Sequence, residues 1–155
     1  MGSSRQSACF AVGDRLDPSV ATTPLSPTYS DDGVVVHWLR YHLVLVTRRQ
    51  RPFFEDAALA ARADVLIRQA AKGLECRVAV CEVRPTHVVL EVEAPAGLSP
   101  LSVATRIARG AAGPLKAENE AVRRSGAAFV HRYLVSTEAV PEGDCAAFVA
   151  RVPTR

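Results

Sequence analysis

The chain has 155 residues, 48% of them hydrophobic, with a formal net charge of +3; that is enough for one buried core and too little for two full domains. Apart from Lys72 and Lys116 the basic residues are all arginine, which suits planar contacts with phosphates and bases, though so modest a charge fits nucleic acid without requiring it. No apolar run approaches the roughly 20 residues that cross a bilayer, and the first residues lack the basic start and apolar stretch of a secretory signal. A cytoplasmic protein with no membrane partner is expected.

Residues 1–32 mix Ser, Thr, Pro, Gly and Asp around one short apolar patch, Ala8 to Val12, and read as a flexible N-terminal arm. The domain is expected to occupy residues 33–155. Val34-Val35-Val36 and Tyr41 to Thr47 are rich in β-formers and read as one strand, or one with a bend near Trp38. From Glu55 to Lys72, Leu59, Ala63, Leu66, Ile67 and Ala70 recur at helical spacing, and Gly73 suits the stop. A strand from Cys76 to Val83, a turn at Pro85-Thr86 and a strand from His87 to Glu93 make a hairpin.

Pro95, Gly97 and Pro100 break the next stretch. Ser99 is a candidate N-cap with Pro100 at the first helical position, and the helix continues through Val103, Ile107 and Ala111. Gly113-Pro114 should end or kink it. Phe129 to Ser136 reads as the last strand and Pro141 to Val152 as a short final helix. The order β-α-β-β-α-β plus a terminal helix is the ferredoxin-like plan, an α+β fold with an antiparallel sheet.

Candidate chemistry centres on the strand that starts at His87. Alternation places His87 and Val89 on one face. A histidine at 89 would complete a pair able to grip one divalent cation; valine cannot. Glu91 and Glu93 share that face, but Glu91 lies about 13 Å from His87 along a strand, too far to share an ion. Without a partner, His87 has its ordinary reading as a hydrogen-bonded histidine at a strand start. His42 sits in an apolar strand, and His37 and His131 carry no distinctive spacing.

The four cysteines, Cys9, Cys76, Cys81 and Cys145, include no C-x-x-C pair. Five residues apart on one strand, Cys76 and Cys81 should point to opposite faces, so free thiols are expected. Arg48, Arg49 and Arg51 form a basic turn, and Arg106, Arg109, Lys116, Arg123 and Arg124 add positive charge downstream. These are the candidate nucleic-acid contacts, although solvation alone can explain charged turns and helix faces. Glu91 and Glu93 oppose them, since carboxylates repel a phosphate backbone.

Four segments resemble, in order and spacing, the small single-tyrosine HUH transposases, including the REP-associated tyrosine transposases. Arg40 to Phe54 resembles their opening strand and basic turn, and Glu75 to Leu90 their central hairpin. Leu98 to Val103 resembles the start of their second helix. Tyr133 to Thr137 with Val140-Pro141-Glu142 resembles their last strand and the approach to their catalytic helix. The resemblance covers about residues 34–152.

It implies a chemistry in which paired histidines hold Mg²⁺ or Mn²⁺ against a phosphate of single-stranded DNA, a helix tyrosine attacks, and a polar residue one turn later completes the metal site. Carried over, the motif is degenerate at Val89 (second histidine), Phe148 (nucleophile) and Val152 (polar ligand). The resemblance therefore implies a catalytically inactive, transposase-derived homodimer with no cofactor or metal, binding single-stranded or hairpin DNA, or RNA, as a regulator. The alternatives are a protein-interaction module without nucleic acid, and an active transposase with an unorthodox site, for which Tyr133 is the substitute nucleophile.

Overall fold

The structure, a computed structural model, describes residues 28–155; residues 1–27, most of the expected arm, lie outside the described residues. The arm's last residues enter a small antiparallel ladder in which β1 (Ser30–Asp31) pairs with β2 (Val36–His37). Its turn is closed by the Asp31 and Asp32 carboxylates, which accept from the N–H groups of Gly33, Val34 and Val35. Gly33 takes φ +85°, a conformation that costs glycine little.

The chain breaks at Trp38 and resumes as β3 (Leu39–Thr47). Two 3₁₀ turns, Arg48–Gln50 and Phe53–Glu55, lead to α1 (Ala57–Lys72). Asp56 caps α1 by accepting from the N–H groups of Ala58 and Leu59. The helix stops at Gly73 as expected, but that glycine stays right-handed, and Glu75, at φ +58°, makes the left-handed turn. A hairpin follows, β4 (Arg77–Arg84) and β5 (His87–Ala94), joined through Pro85-Thr86.

Next come α2 (Pro100–Glu118), α3 (Glu120–Ser125), β6 (Phe129–Ser136) and α4 (Glu142–Ala150). The four long strands lie in the order β4-β5-β3-β6, every neighbour antiparallel. This is the expected ferredoxin-like α+β sheet.

One face of the sheet carries the main core. Leu43 and Leu45 of β3 and Val88, Leu90 and Val92 of β5 are buried with Leu66 and Ile67 of α1 and Val103, Ile107 and Leu115 of α2. The helices meet tightly: a Cβ added at Gly110 would stand 2.7 Å from Ala70 Cβ. The other face is covered at one end by α4, whose Cys145 and Val149, with Val152 beyond it, bury Val44 and Val46.

Three expectations change. Helix α2 runs through Pro114, so of the two outcomes expected there, an end or a kink, the end is excluded. Losing one backbone hydrogen bond costs about 3 kcal/mol, and fully burying Leu115, at roughly 1.5–3 kcal/mol, offsets it. Helix α3 was not legible; Asn119 starts it by accepting from Val122 N–H. Finally, a bulge between Val78 and Val80 resets the register of β4, so Val78 faces Val92 and Cys81 faces Leu90. Cys76 and Cys81 therefore both pack toward the main core instead of opposite ways. Both are free thiols, as is Cys145.

Candidate functional site

The uncovered sheet face is set by cross-strand register. His87 lies opposite Val46, Val89 opposite Val44, Glu91 opposite His42 and Glu93 opposite Arg40. On the other side β4 places Arg84 against His87 and Glu82 against Val89. His87 and Val89 do share this face, as alternation requires, and α4 lies over their end of it.

His87 Nδ1 lies 3.2 Å from Thr86 Oγ1, and its Nε2 is shielded from solvent with no hydrogen-bond partner among the described residues. Burial lowers its pKa first and the nearby Arg84 guanidinium lowers it further, while Glu142 pulls the other way. Arg84 is itself held by Glu142, at the start of α4, and by Glu82 at 3.0 Å. A fixed guanidinium thus stands beside the imidazole, and its two carboxylates are already engaged.

These residues do not fit a divalent cation. One imidazole nitrogen is on offer, Val89 has no donor, and Val152 is 2% exposed in apolar company. Among the described residues no group of three or more His, Cys, Asp or Glu side chains could hold a metal ion. Val152 also differs in placement from the sequence reading. Helix α4 ends at Ala150 with Arg151 as its cap, so Val152 lies beyond the helix. Its carbonyl accepts from the Gln50 side chain.

Phe148 packs, partly buried, against the Val44–Val46 cluster, and its ring has no oxygen to attack phosphorus. Tyr133 cannot replace it. It packs against the main core, on the side of the sheet away from His87.

The basic turn is held from three sides. Thr47 is fully buried; its N–H donates to Thr86 O (2.9 Å) and its hydroxyl lies within hydrogen-bond reach of Arg51 O (2.7 Å) and Thr86 O (2.9 Å). Arg48 N–H donates to Ala128 O. Arg49 and Gln50 take φ +58° and +52°, two successive left-handed residues that are not glycine. Such a backbone costs of order 1–3 kcal/mol per residue and persists only where its surroundings impose it; here the Gln50–Val152 bond is one such restraint. As a result Arg48, Arg49 and Arg51 all stand at the surface, with no carboxylate partner among the described residues.

The remaining candidates sit on α2 and α3, and the start of α3 comes close to the turn, where Asn119 and Ala121 line one pocket with Arg51. Arg106, Arg109 and Lys116 are exposed on α2, which covers the opposite face of the sheet. Arg123 and Arg124 on α3 both reach Glu120, at 4.0 and 2.5 Å. The acidic pair is also not free to repel phosphate. Glu91 binds Arg40 at 2.6 Å, and Glu93 binds Arg40 at 3.1 Å and Arg77 at 2.7 Å. Those donors hold the Glu93 carboxyl down at about 2, Arg77 contributing most. Gln50, Arg84 and Glu142 were missed in the sequence because their partners lie far along the chain.

With this geometry in view, the family model described as "Transposase IS200 like" matches residues 35–144. The match stops short of Phe148. Among solved structures, one described as "a putative transposase from deinococcus radiodurans r1" superposes with a TM-score of 0.72 at 17% identity, over 81% of this chain and 99% of that one. At that identity the likeness is one of fold. No curated protein matches the sequence. Among the described residues no helix is long and apolar enough to cross a membrane.

Proposed function

The chain belongs to the IS200-like transposase family, and on that premise we propose that it has lost strand cleavage and retains binding of single-stranded, hairpin or otherwise structured nucleic acid, in a regulatory role. The observation that carries this reading is the contrast between the two halves of one end of the molecule. The chemical half has a lone imidazole beside a fixed guanidinium, with valine and phenylalanine where a second metal ligand and a nucleophile would be needed. The binding half, Arg48, Arg49 and Arg51, remains exposed, with no carboxylate partner among the described residues, on a turn whose strained backbone is pinned in place.

Arginines presented in this way gain from phosphate by charge-assisted hydrogen bonds and by releasing counterions from the nucleic acid. The active unit is a homodimer, for which the edges of β4 and β6, unpaired among the described residues, are the available pairing strands. Titration of a labelled hairpin and its unpaired counterpart over a range of salt tests the reading. Affinity should fall linearly with rising salt on logarithmic axes. An absence of salt-dependent affinity for every nucleic acid tried would overturn it. That result would favour the protein-interaction reading, which has its own support in the exposed Val34, Val35 and Val36.

A further inference from the structure

At the end of the sheet away from His87, the structure holds an aromatic platform that neither the metal motif nor the basic turn accounts for. The Trp38 indole is fixed from two directions. Its Nε1–H donates to Glu93 at 3.4 Å, and the Arg40 guanidinium lies 4.8 Å from its ring centroid. Arg40 is in turn clamped by Glu91 and Glu93. The Tyr29 ring stands edge-on to the indole, with centroids 6.3 Å apart. Yet Trp38 and Tyr29 remain 45% and 49% exposed. A large aromatic held this firmly has little entropy left to lose on stacking against something else.

Beside the indole runs a groove of about 810 Å³ lined in part by His37, Trp38, Leu39, Arg40, Arg77 and Glu93, within the size range of small-ligand sites. Two polar atoms near it, His37 Nδ1 and Arg40 Nε, are shielded from solvent and have no hydrogen-bond partner among the described residues. Unsatisfied buried polar groups are rare in folded proteins and costly.

We propose that this groove is a subsite for one unpaired nucleobase of the bound strand; the proposal rests on the nucleic-acid reading above and adds a second point of contact to it. A base offers a flat face for the indole and an edge with both donors and acceptors for the polar side chains that line the groove. A phosphate fits less well, because Arg40 and Arg77 are already neutralised by Glu91 and Glu93, and Glu75 adds a further carboxylate to the lining.

The subsite and the basic turn divide the work, one taking a base and the other phosphates. Trp38 contacts Arg40 and Glu93, which lie on the same sheet face as His87. From Trp38 to Val46, the residue opposite His87, is roughly 26 Å of extended chain. A strand that reaches both places spans about that distance and passes α4, which covers the His87 end of that face.

Trp38 is the single tryptophan of the chain, so its emission reports the subsite directly. The full chain is titrated with single-stranded oligo-dA and oligo-dT while strand anisotropy and tryptophan emission are followed together. Emission should be quenched in step with binding. Trp38→Ala should weaken binding about ten- to a hundredfold, the usual effect of losing one stacked base, and Trp38→Phe should recover most of the loss. If Trp38→Ala does not fold, the emission of the unmodified chain together with Trp38→Phe decides. Binding with unchanged emission, or Trp38→Ala binding as tightly as the unmodified chain, would overturn the subsite and leave the basic turn standing. No binding of either oligonucleotide by anisotropy would overturn the subsite, and the hairpin titration then decides the reading on which it rests.

Discussion

Replacing Glu93 by glutamine keeps the shape of the side chain and removes the charge on which three donors converge. In the folded chain Arg77, Arg40 and Trp38 hold the Glu93 carboxyl at about 2, against an ordinary 4.5. At 1.36 kcal/mol per pH unit that difference has a ceiling of roughly 3.4 kcal/mol. Arg77 is 73% exposed and Arg40 37%, so solvent screening brings the expected loss for Glu93→Gln at neutral pH to about 1–2 kcal/mol. The sign follows from linkage: a depressed carboxyl stabilises the fold fully above its unfolded pKa, and that stabilisation is lost as pH falls through the folded value. The gap between the two proteins should therefore be constant from pH 7 to about 5 and should have closed by roughly half near pH 3. Urea unfolding at a series of pH values measures it, and thermal midpoints should differ by about 2–4 °C per kcal/mol. A variant as stable as the unmodified chain at pH 7, or a gap that widens in acid, would refute this account of the Arg40–Glu93–Arg77 cluster.

Arg48→Ala combined with Arg49→Ala should flatten the salt dependence of single-strand binding by about 0.7 in slope for each phosphate that is no longer neutralised; an unchanged slope would remove the basic turn from the interface. Gly110→Ala should destabilise by about 1–2 kcal/mol, because overpacking against Ala70 exceeds the gain of about 1 kcal/mol in helix propensity, and adding Ala70→Gly should restore part of the stability. A more stable Gly110→Ala protein would contradict the close approach of α1 and α2. Light scattering should give twice the 16.6 kDa of one chain, and a monomer at high concentration would count against the proposed dimer.

What the sequence disclosed and what it hid divide along physical lines. The hairpin around Pro85-Thr86 and the strand Phe129–Ser136 were legible because local β propensity and tight turns determine them. So were the cap at Ser99, whose hydroxyl accepts from Ser102 N–H at the helix start, and the shared face of His87 and Val89, a consequence of strand period. Pro114 left an end or a kink open, and the burial of Leu115, which offsets much of the local penalty, helps carry the helix past it. The bulge in β4 left no readable mark, yet it moves Cys81 onto the core face. Val152 was assigned to α4 by counting turns, and the helix ends before it. The neutralisation of Glu91 and Glu93 was hidden because Arg40 approaches them from another strand, and the Arg84–Glu142 pair joins residues 58 apart in the chain. Trp38 looked only like a bend in a strand; its orientation depends on Glu93, which sequence spacing alone does not bring near.

The central claim, binding without cleavage, is tested most directly by one incubation of the chain with a labelled hairpin and Mn²⁺, resolved on native and denaturing gels in parallel. The account predicts a retarded band on the native gel and, on the denaturing gel, only intact free strand. Phe148→Tyr should give the same result, since the cation would still lack its second histidine. A labelled strand that stays attached to the unmodified protein through denaturation would contradict the account and make this chain a working transposase.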